Sequence, residues 1–529
     1  MELQEPGLGW QGRSPSGDNR EARVPKPRTG ADRPVVVVKA LQWGWSEGGG
    51  SGVVTIGPTG NRMTTRETTS KPFTIEKRLV YEAYKAVKSN KGAAGVDGQT
   101  LEQFEADLKG NLYKIWNRMS SGSYFPPPVR AVSIPKKSGG ERILGVPTVS
   151  DRIAQMVVKQ LIEPDLEAIF LPDSYGYRPD KSALDAIGVT RKRCWRYDWV
   201  LEFDIKGLFD NLPHDLLMKA IRKHITNKWA LLYIERWLTA PMERDGERME
   251  RTRGTPQGGV ISPVLSNLFL HYAFDLWMQR TQPDLPWCRY ADDGLVHCRS
   301  EQEAEALKAT LQARLRECGL EPHPTKTRIV YCKDKNRKGS YQSVKFDFLG
   351  YCFRPRRTMN PSDRLFCGFN PAVSPAALKA MRSMIRDLNI RRQTHVSLRD
   401  IAQKLNPLLR GWIGYYGRYA PSALNPLLRY VNLTLVAWVQ RKFKRFRAHQ
   451  TRASLFLQKL AHQCKELFVH WHLGMTGVFA GWERCEARAS PTVLRERRVR
   501  LPPLLAKTTT SVEFSSANQR LTSEVRGDA

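Results

Sequence analysis

The sequence predicts an α+β protein, with a mixed region over about residues 71–370 followed by an all-helical region over about 371–485. Two patterns and one limit carry that reading. Short β-like runs alternate with amphipathic helices as far as about Arg354, punctuated by Pro126-Pro-Pro128 and Ser138-Gly-Gly140. Beyond Pro375 the apolar spacing becomes wholly helical. Of the 529 residues, 41% are hydrophobic and 26% charged, which suits a globular chain and neither a coiled coil nor wholesale disorder.

The elements follow in order. Residues 1–70 hold 12 Gly and 6 Pro with few periodic apolar positions, and read as a disordered or non-native extension; Met63 stands just before the first helical pattern as a candidate start. Residues 73–88 form a helix candidate, followed by the Gly-rich loop Lys91-Gly-Ala-Ala-Gly-Val-Asp-Gly98. Trp199-Val-Leu-Glu-Phe-Asp-Ile205 is a strand by alternation, with Trp199, Leu201, Phe203 and Ile205 on one face and Val200, Glu202 and Asp204 on the other. Asp292-Asp293-Gly294 reads as a tight hairpin with the acids at its tip. Ser374-Pro375 is an N-cap with proline in the first turn, and Ser397 with Asp400 makes a capping box. Residues 486–529 form a polar tail.

Charge narrows the function classes. There are 84 Lys+Arg against 52 Asp+Glu, a formal +32, so a polyanionic partner is expected. No apolar stretch reaches the ~18–20 residues of a membrane span. Residues 401–465 contain twelve Lys/Arg, nine aromatics and no acid. A solvated basic face is one reading; phosphate contacts, with aromatics stacking on unpaired bases, is the preferred one. The nine scattered cysteines, with no Cys-x-x-Cys pair, favour a reducing compartment. His462, Cys464, His470 and His472 come nearest to a zinc set, but structural zinc sites carry tight Cys pairs, so these read as ordinary helix side chains.

The chemistry centres on three acids. Asp204 lies in an apolar strand, where an acid is costly unless it is paired or binds a metal. A buried ion pair with Arg is the bland account of it, as a surface turn is of Asp292-Asp293. Brought together, the three could hold paired Mg²⁺ ions, which take hard carboxylate oxygens and serve in-line displacement at phosphorus.

At this point the motifs form a recognisable ordered set. Ile134-Pro-Lys-Lys-Ser-Gly-Gly-Glu-Arg-Ile-Leu-Gly-Val-Pro147 resembles a polymerase fingers motif. Phe203-Asp-Ile-Lys-Gly-Leu-Phe-Asp-Asn-Leu-Pro213, Arg253-Gly-Thr-Pro-Gln-Gly-Gly-Val-Ile-Ser-Pro263 and Tyr290-Ala-Asp-Asp293 resemble successive palm motifs of reverse transcriptases. Gly319-Leu-Glu-Pro-His-Pro-Thr-Lys-Thr-Arg328 and Phe348-Leu-Gly-Tyr351 resemble the last two, and Arg410-Gly-Trp-Ile-Gly-Tyr-Tyr-Gly-Arg-Tyr419 is similar to the maturase, or X, domain of group II intron-encoded reverse transcriptases. The likeness covers roughly residues 71–480. It implies a right-hand polymerase-like fingers and palm, followed by an all-α thumb/maturase domain.

The resemblance assigns roles. Asp204, Asp292 and Asp293 match the metal-binding triad, with the carbonyl of Ile205 as a further ligand for Mg²⁺. Phe209 matches the steric gate against a ribose 2′-hydroxyl. Lys136 and Arg142 match residues that hold the triphosphate, as a point charge and a fork respectively, and Gln257 would lie by the templating base and the deoxynucleoside triphosphate. Arg410, Trp412, Tyr415, Tyr416, Arg418, Arg441, Lys442, Lys444 and Arg445 are the candidates for RNA contact. The implied partners are the group II intron RNA and a target DNA with its primer 3′-end, in the bacterial cytoplasm; the oligomeric state stays open. Nothing after Trp482 supplies the paired Cys and His of a nuclease domain, so the likeness is to the type without one. A splicing cofactor with a dispensable polymerase and a domesticated polymerase in host defence or repair are the rival readings.

Overall fold

The computed structural model describes residues 71–90, 92–135, 140–359 and 365–475; the N-terminal extension, the polar tail and Lys136 lie outside them. The described residues all belong to one compact unit. Eleven strands among them make three sheets. β1 (Val129–Pro135), β2 (Glu141–Val146), β4 (Met242–Arg244) and β5 (Glu247–Met249) order as β2-β1-β4-β5. β3 (Trp199–Phe203), β6 (Trp287–Tyr290), β7 (Asp293–Cys298) and β8 (Arg328–Tyr331) order as β6-β7-β3-β8, all antiparallel. β9 (Phe346–Phe348), β10 (Tyr351–Met359) and β11 (Leu365–Val373) order as β11-β10-β9.

The alternation expected of β3 is what gives the central sheet two buried faces. Trp199, Leu201 and Phe203 enter a large core with the helices Ser262–Leu270 and Glu301–Glu317. Val200 enters a second core with Cys288, Leu295, Val330, Tyr351 and Phe353. A sheet covered on both sides can carry its chemistry only at its ends. The polar chain therefore breaks out at Asp204, one residue beyond the end of β3.

The helical region begins where the caps place it. Ser374 accepts from the Ala377 N–H at the start of Pro375–Asp387, and Ser397 and Asp400 cap Leu398–Tyr416 reciprocally. Leu398, Ile401, Leu405 and Leu409 face Leu427, Val431, Leu435 and Val439 of Asn425–Lys442 in a third core. The His and Cys set near residue 470 is dispersed: His470 is buried and bonded to Asn432 at 2.6 Å, while His472 meets Glu466. Among the described residues no helix is long and apolar enough to cross a membrane.

Candidate active site

The hairpin forms, but its turn is Ala291-Asp292 rather than Asp292-Asp293-Gly294. Tyr290 pairs with Asp293, so Asp293 is already the first residue of β7. The sequence reading placed the acids at the tip because Asp-Gly is the usual two-residue signal; here Gly294 is needed elsewhere, against the ring of Phe203 in the facing strand, where a Cβ would lie 2.1 Å from Cζ. The turn instead puts Ala291 in the left-handed region at φ +56°. Gly176 lies directly on it: a Cβ there would come within 2.4 Å of the Ala291 nitrogen.

Asp204 is 7% exposed and meets the hairpin from the end of β3. Its neighbours are fixed by the segment that follows the helix Glu301–Glu317. The Lys206 N–H donates to the Glu321 carbonyl at 2.9 Å, and the His323 N–H donates to the Asp204 carbonyl at 2.8 Å. Ile205, between them, is buried and bridges Pro322. The same segment supplies Lys326, whose Nζ donates to Asp204 Oδ2 at 2.8 Å. The bland account of Asp204, a buried ion pair with Arg, is not what forms: its partner is a Lys that keeps 59% of its side chain exposed. A cavity of about 250 Å³ opens between Asp204, Asp293, Gly294, Thr325, Lys326 and Phe348.

The electrostatics of these acids are unbalanced. Burial, then Asp204, raises the Asp292 carboxyl, against its own backbone hydrogen bond and the pull of Lys326 and Arg142. Burial, then Asp292 and Asp204, pushes Asp293 up to about 7, although its side chain is open to the cleft. Burial works against the charge of Lys326, but the Asp204 hydrogen bond and the attraction of all three acids win and raise it. One ammonium does not neutralise three carboxylates, and the site has a surplus of hard oxygen donors that suits a divalent cation. Among the described residues, no three or more His, Cys, Asp or Glu side chains already stand in an arrangement that could hold a metal ion.

The side of the site expected to take the nucleotide is built by the loop after β5. The Thr255 N–H donates to the Phe209 carbonyl at 2.6 Å and the Gly254 N–H to the Leu212 carbonyl at 2.8 Å. Gly254 sits at φ +76°, with the carbonyls of Phe209 and Asp210 where its Cβ would be, so this close approach requires glycine. Phe209 is 8% exposed, at the start of the short helix Leu208–Asn211. Gln257 spans two elements, accepting from Arg142 Nε at 2.5 Å and donating to Asp210 Oδ2 at 3.0 Å. Arg142 therefore reaches from β2 to the edge of the palm.

Tyr177 escaped the sequence reading. It lies at φ +58°, half exposed, with its phenol raised by burial and then by Asp292. The signal available was Gly176-Tyr177 beside two other aromatic or basic residues in a loop, which is weak without the fold. Lys326 was inside a recognised motif but had no assigned role.

The proposed RNA-facing residues divide. Arg410, Arg418, Arg441, Lys444 and Arg445 are exposed. Tyr415 and Tyr416, expected to stack on bases, are half-buried against the palm instead. The Tyr415 hydroxyl donates to the Leu349 carbonyl at 2.9 Å, the Tyr351 hydroxyl donates to the Tyr415 carbonyl, and both rings pack on Tyr351. At the turn Leu349-Gly350, where both residues have positive φ, the Tyr415 phenol satisfies the Leu349 carbonyl and the Ser374 N–H satisfies that of Gly350. Trp412 packs partly against the third core, and Lys442 donates to the Val396 carbonyl at 2.7 Å.

Two family models and several known proteins match the chain. The family described as "Reverse transcriptase (RNA-dependent DNA polymerase)" matches residues 134–353, and "Group II intron, maturase-specific domain" matches 378–456. Protein YkfC of Escherichia coli (strain K12) is 33% identical over 297 residues, which is 48% of this chain and 77% of YkfC. Group II intron-encoded protein LtrA of Lactococcus lactis subsp. cremoris is 33% identical over 202 residues, 38% of this chain but only 33% of LtrA. Among solved structures, apo telomerase from Candida tropicalis aligns at a TM-score of 0.35 and 16% identity, over 46% of this chain and 59% of that one, a likeness too slight to bear on the fold.

Proposed function

The chain belongs to the reverse transcriptase family, in the branch that carries a group II intron maturase-specific domain, and from that premise we propose that it binds its parent intron RNA, promotes splicing and then copies the intron into DNA at a target 3′-end. It is an RNA-directed DNA polymerase. The observation that carries the catalytic reading is the meeting of Asp204 with Asp292 and Asp293 at the open end of a sheet buried on both faces.

Asp204, Asp292, Asp293 and the Ile205 carbonyl would hold two Mg²⁺ ions, which when bound supply the positive charge that an attacking hydroxyl and a leaving pyrophosphate require. The chain's own groups do the rest. Arg142, held by Gln257, presents a fork to the triphosphate, and Lys136 is assigned the accompanying point charge. Phe209 gives a buried wall against a 2′-hydroxyl, so deoxynucleotides are favoured. In this reading fingers and palm span 71–370, and thumb and maturase 371–485. The exposed Arg410, Arg418, Arg441, Lys444 and Arg445 grip intron phosphates, and a cytoplasmic setting fits the free cysteines.

Primer extension on an RNA template with Mg²⁺ and deoxynucleotides tests the polymerase. Wild type should extend the primer and Asp292→Ala/Asp293→Ala should not; equal failure of both would refute the reading. Splicing of the flanking RNA at low Mg²⁺ should rise on adding the protein, and an unchanged yield would remove the maturase role.

A further inference from the structure

Arg289 is fully buried two residues before the Ala291-Asp292 turn, and each of its five N–H groups has an acceptor. Nε and Nη2 fork onto Asp275 at 2.8 and 2.6 Å. Nη1 donates to Asn267 Oδ1 and to the Ala291 carbonyl, both at 3.1 Å, and Nη2 also donates to Ser174 Oγ at 2.8 Å. Asn267 in turn donates to the Gly176 carbonyl at 2.7 Å. The backbone repeats the link, since the Arg289 N–H donates to the Asp173 carbonyl and the Tyr175 N–H to the Arg289 carbonyl.

The helix beneath is interrupted for this purpose. His271–Asp275 is a π-turn between Ser262–Leu270 and Leu276–Thr281. On an unbroken α-helix, residues 267 and 275 would differ by about 80° around the axis. One inserted residue reduces that to about 20°, so Asn267 and Asp275 meet the same guanidinium. A helix that gives up regular hydrogen bonding to aim two side chains at one buried arginine marks that arginine as something more than filler.

We propose that the Arg289–Asp275 pair is the positioning device of the polymerase turn. It fixes the Ala291 carbonyl, and so the left-handed turn that sets Asp292 and Asp293 against Asp204. Through Ser174 and Asn267 it ties the Gly176-Tyr177 wall to the same frame, and the two sides of the cleft are held as one body. Arg289 touches neither substrate nor reacting atoms; it acts through the turn. The inference rests on the reading of the three acids as the polymerase centre.

The test uses the full chain and four proteins: wild type, Arg289→Lys, Arg289→Met/Asp275→Leu, and Asp292→Ala/Asp293→Ala. For each, the unfolding midpoint, the primer–template affinity, the single-nucleotide incorporation rate and the deoxynucleotide Kd are measured. The double apolar variant removes both charges together and should keep its midpoint to within about 3 °C, because it leaves neither ion unpaired. Its incorporation rate should fall by about 100-fold with primer–template affinity and nucleotide Kd within about threefold, the mark of misplaced acids rather than lost binding. Arg289→Lys keeps the charge but not the fork, and should lose at least about tenfold in rate if the Ala291 contact is what matters. Wild-type rates in either folded variant, or a loss carried by nucleotide Kd alone, would overturn the proposal. Should the double variant not fold, the Arg289→Lys rate decides. Incorporation by wild type and its absence in Asp292→Ala/Asp293→Ala separate this outcome from failure of the polymerase reading itself.

Discussion

Removing one charge from the acid cluster should stabilise the metal-free protein. In Asp293→Asn the perturbation is electrostatic and nearly isosteric. The carboxyl is pushed from its ordinary 3.8 to about 7 by burial and by Asp292 and Asp204. That interval corresponds to about 4 kcal/mol at 1.36 kcal/mol per pH unit. Asp293 is open to the cleft, and water and salt screen it, so about 1–2 kcal/mol is the expected effect. The sign follows from proton linkage: the folded state holds this proton more tightly than the unfolded state, so stability falls as pH rises from about 4 to about 7 and stays level above. Urea denaturation in EDTA, at pH 5 and pH 8, should therefore show Asp293→Asn gaining on wild type by about 1–2 kcal/mol between the two. Mg²⁺ at pH 8 should close the gap by stabilising wild type more. A variant that is no more stable than wild type in EDTA at pH 8 would refute the electrostatic argument.

Three further outcomes are expected. Asp151 is fully buried beside the large core that also takes Trp199 and Leu201, raised to about 6 by burial against donors from Trp237, Tyr124 and Gln155; Asp151→Ala should cost about 3–5 kcal/mol in urea denaturation by leaving those donors unpaired. Gly176→Ala drives a Cβ into the backbone of the Ala291 turn, so nucleotide incorporation should fall by about 100-fold while circular dichroism stays native. Phe209→Val opens the proposed gate, and the ratio of ribonucleotide to deoxynucleotide incorporation should rise by at least about tenfold; an unchanged ratio would remove Phe209 from that role.

Local rules carried the reading a long way. Ser374 and Ser397 announce their helices because capping depends on a few consecutive residues, and the alternation of Trp199 to Phe203 announces a strand, whose second face only the structure shows to be buried. What escaped depends on partners far along the chain. Asp204 finds Lys326 across 122 positions, and no local pattern tells a lysine from an arginine there. Tyr415 and Tyr416 looked like base-stacking aromatics because they sit in an acid-free stretch, yet Tyr415 is used by the Leu349 carbonyl and both rings pack on Tyr351, more than 60 positions away. Arg289 left one trace: it shares the face of Trp287 in an apolar strand, which obliges it to be buried and therefore paired.

The tyrosine joint bears on how the protein can be taken apart. Tyr351, wholly buried, is ringed by Tyr415, Tyr416 and Tyr419, and the last also donates to the Leu184 carbonyl at 3.2 Å. Cutting the chain after the final strand would uncover that ring, the Leu349 carbonyl and an apolar floor at Phe353 and Phe369 together. Neither half is then a detachable cassette. Polymerase fragments trimmed of their helices should be recovered as aggregates, and grafting the helices onto another palm would succeed only if the tyrosine seat were transplanted with them.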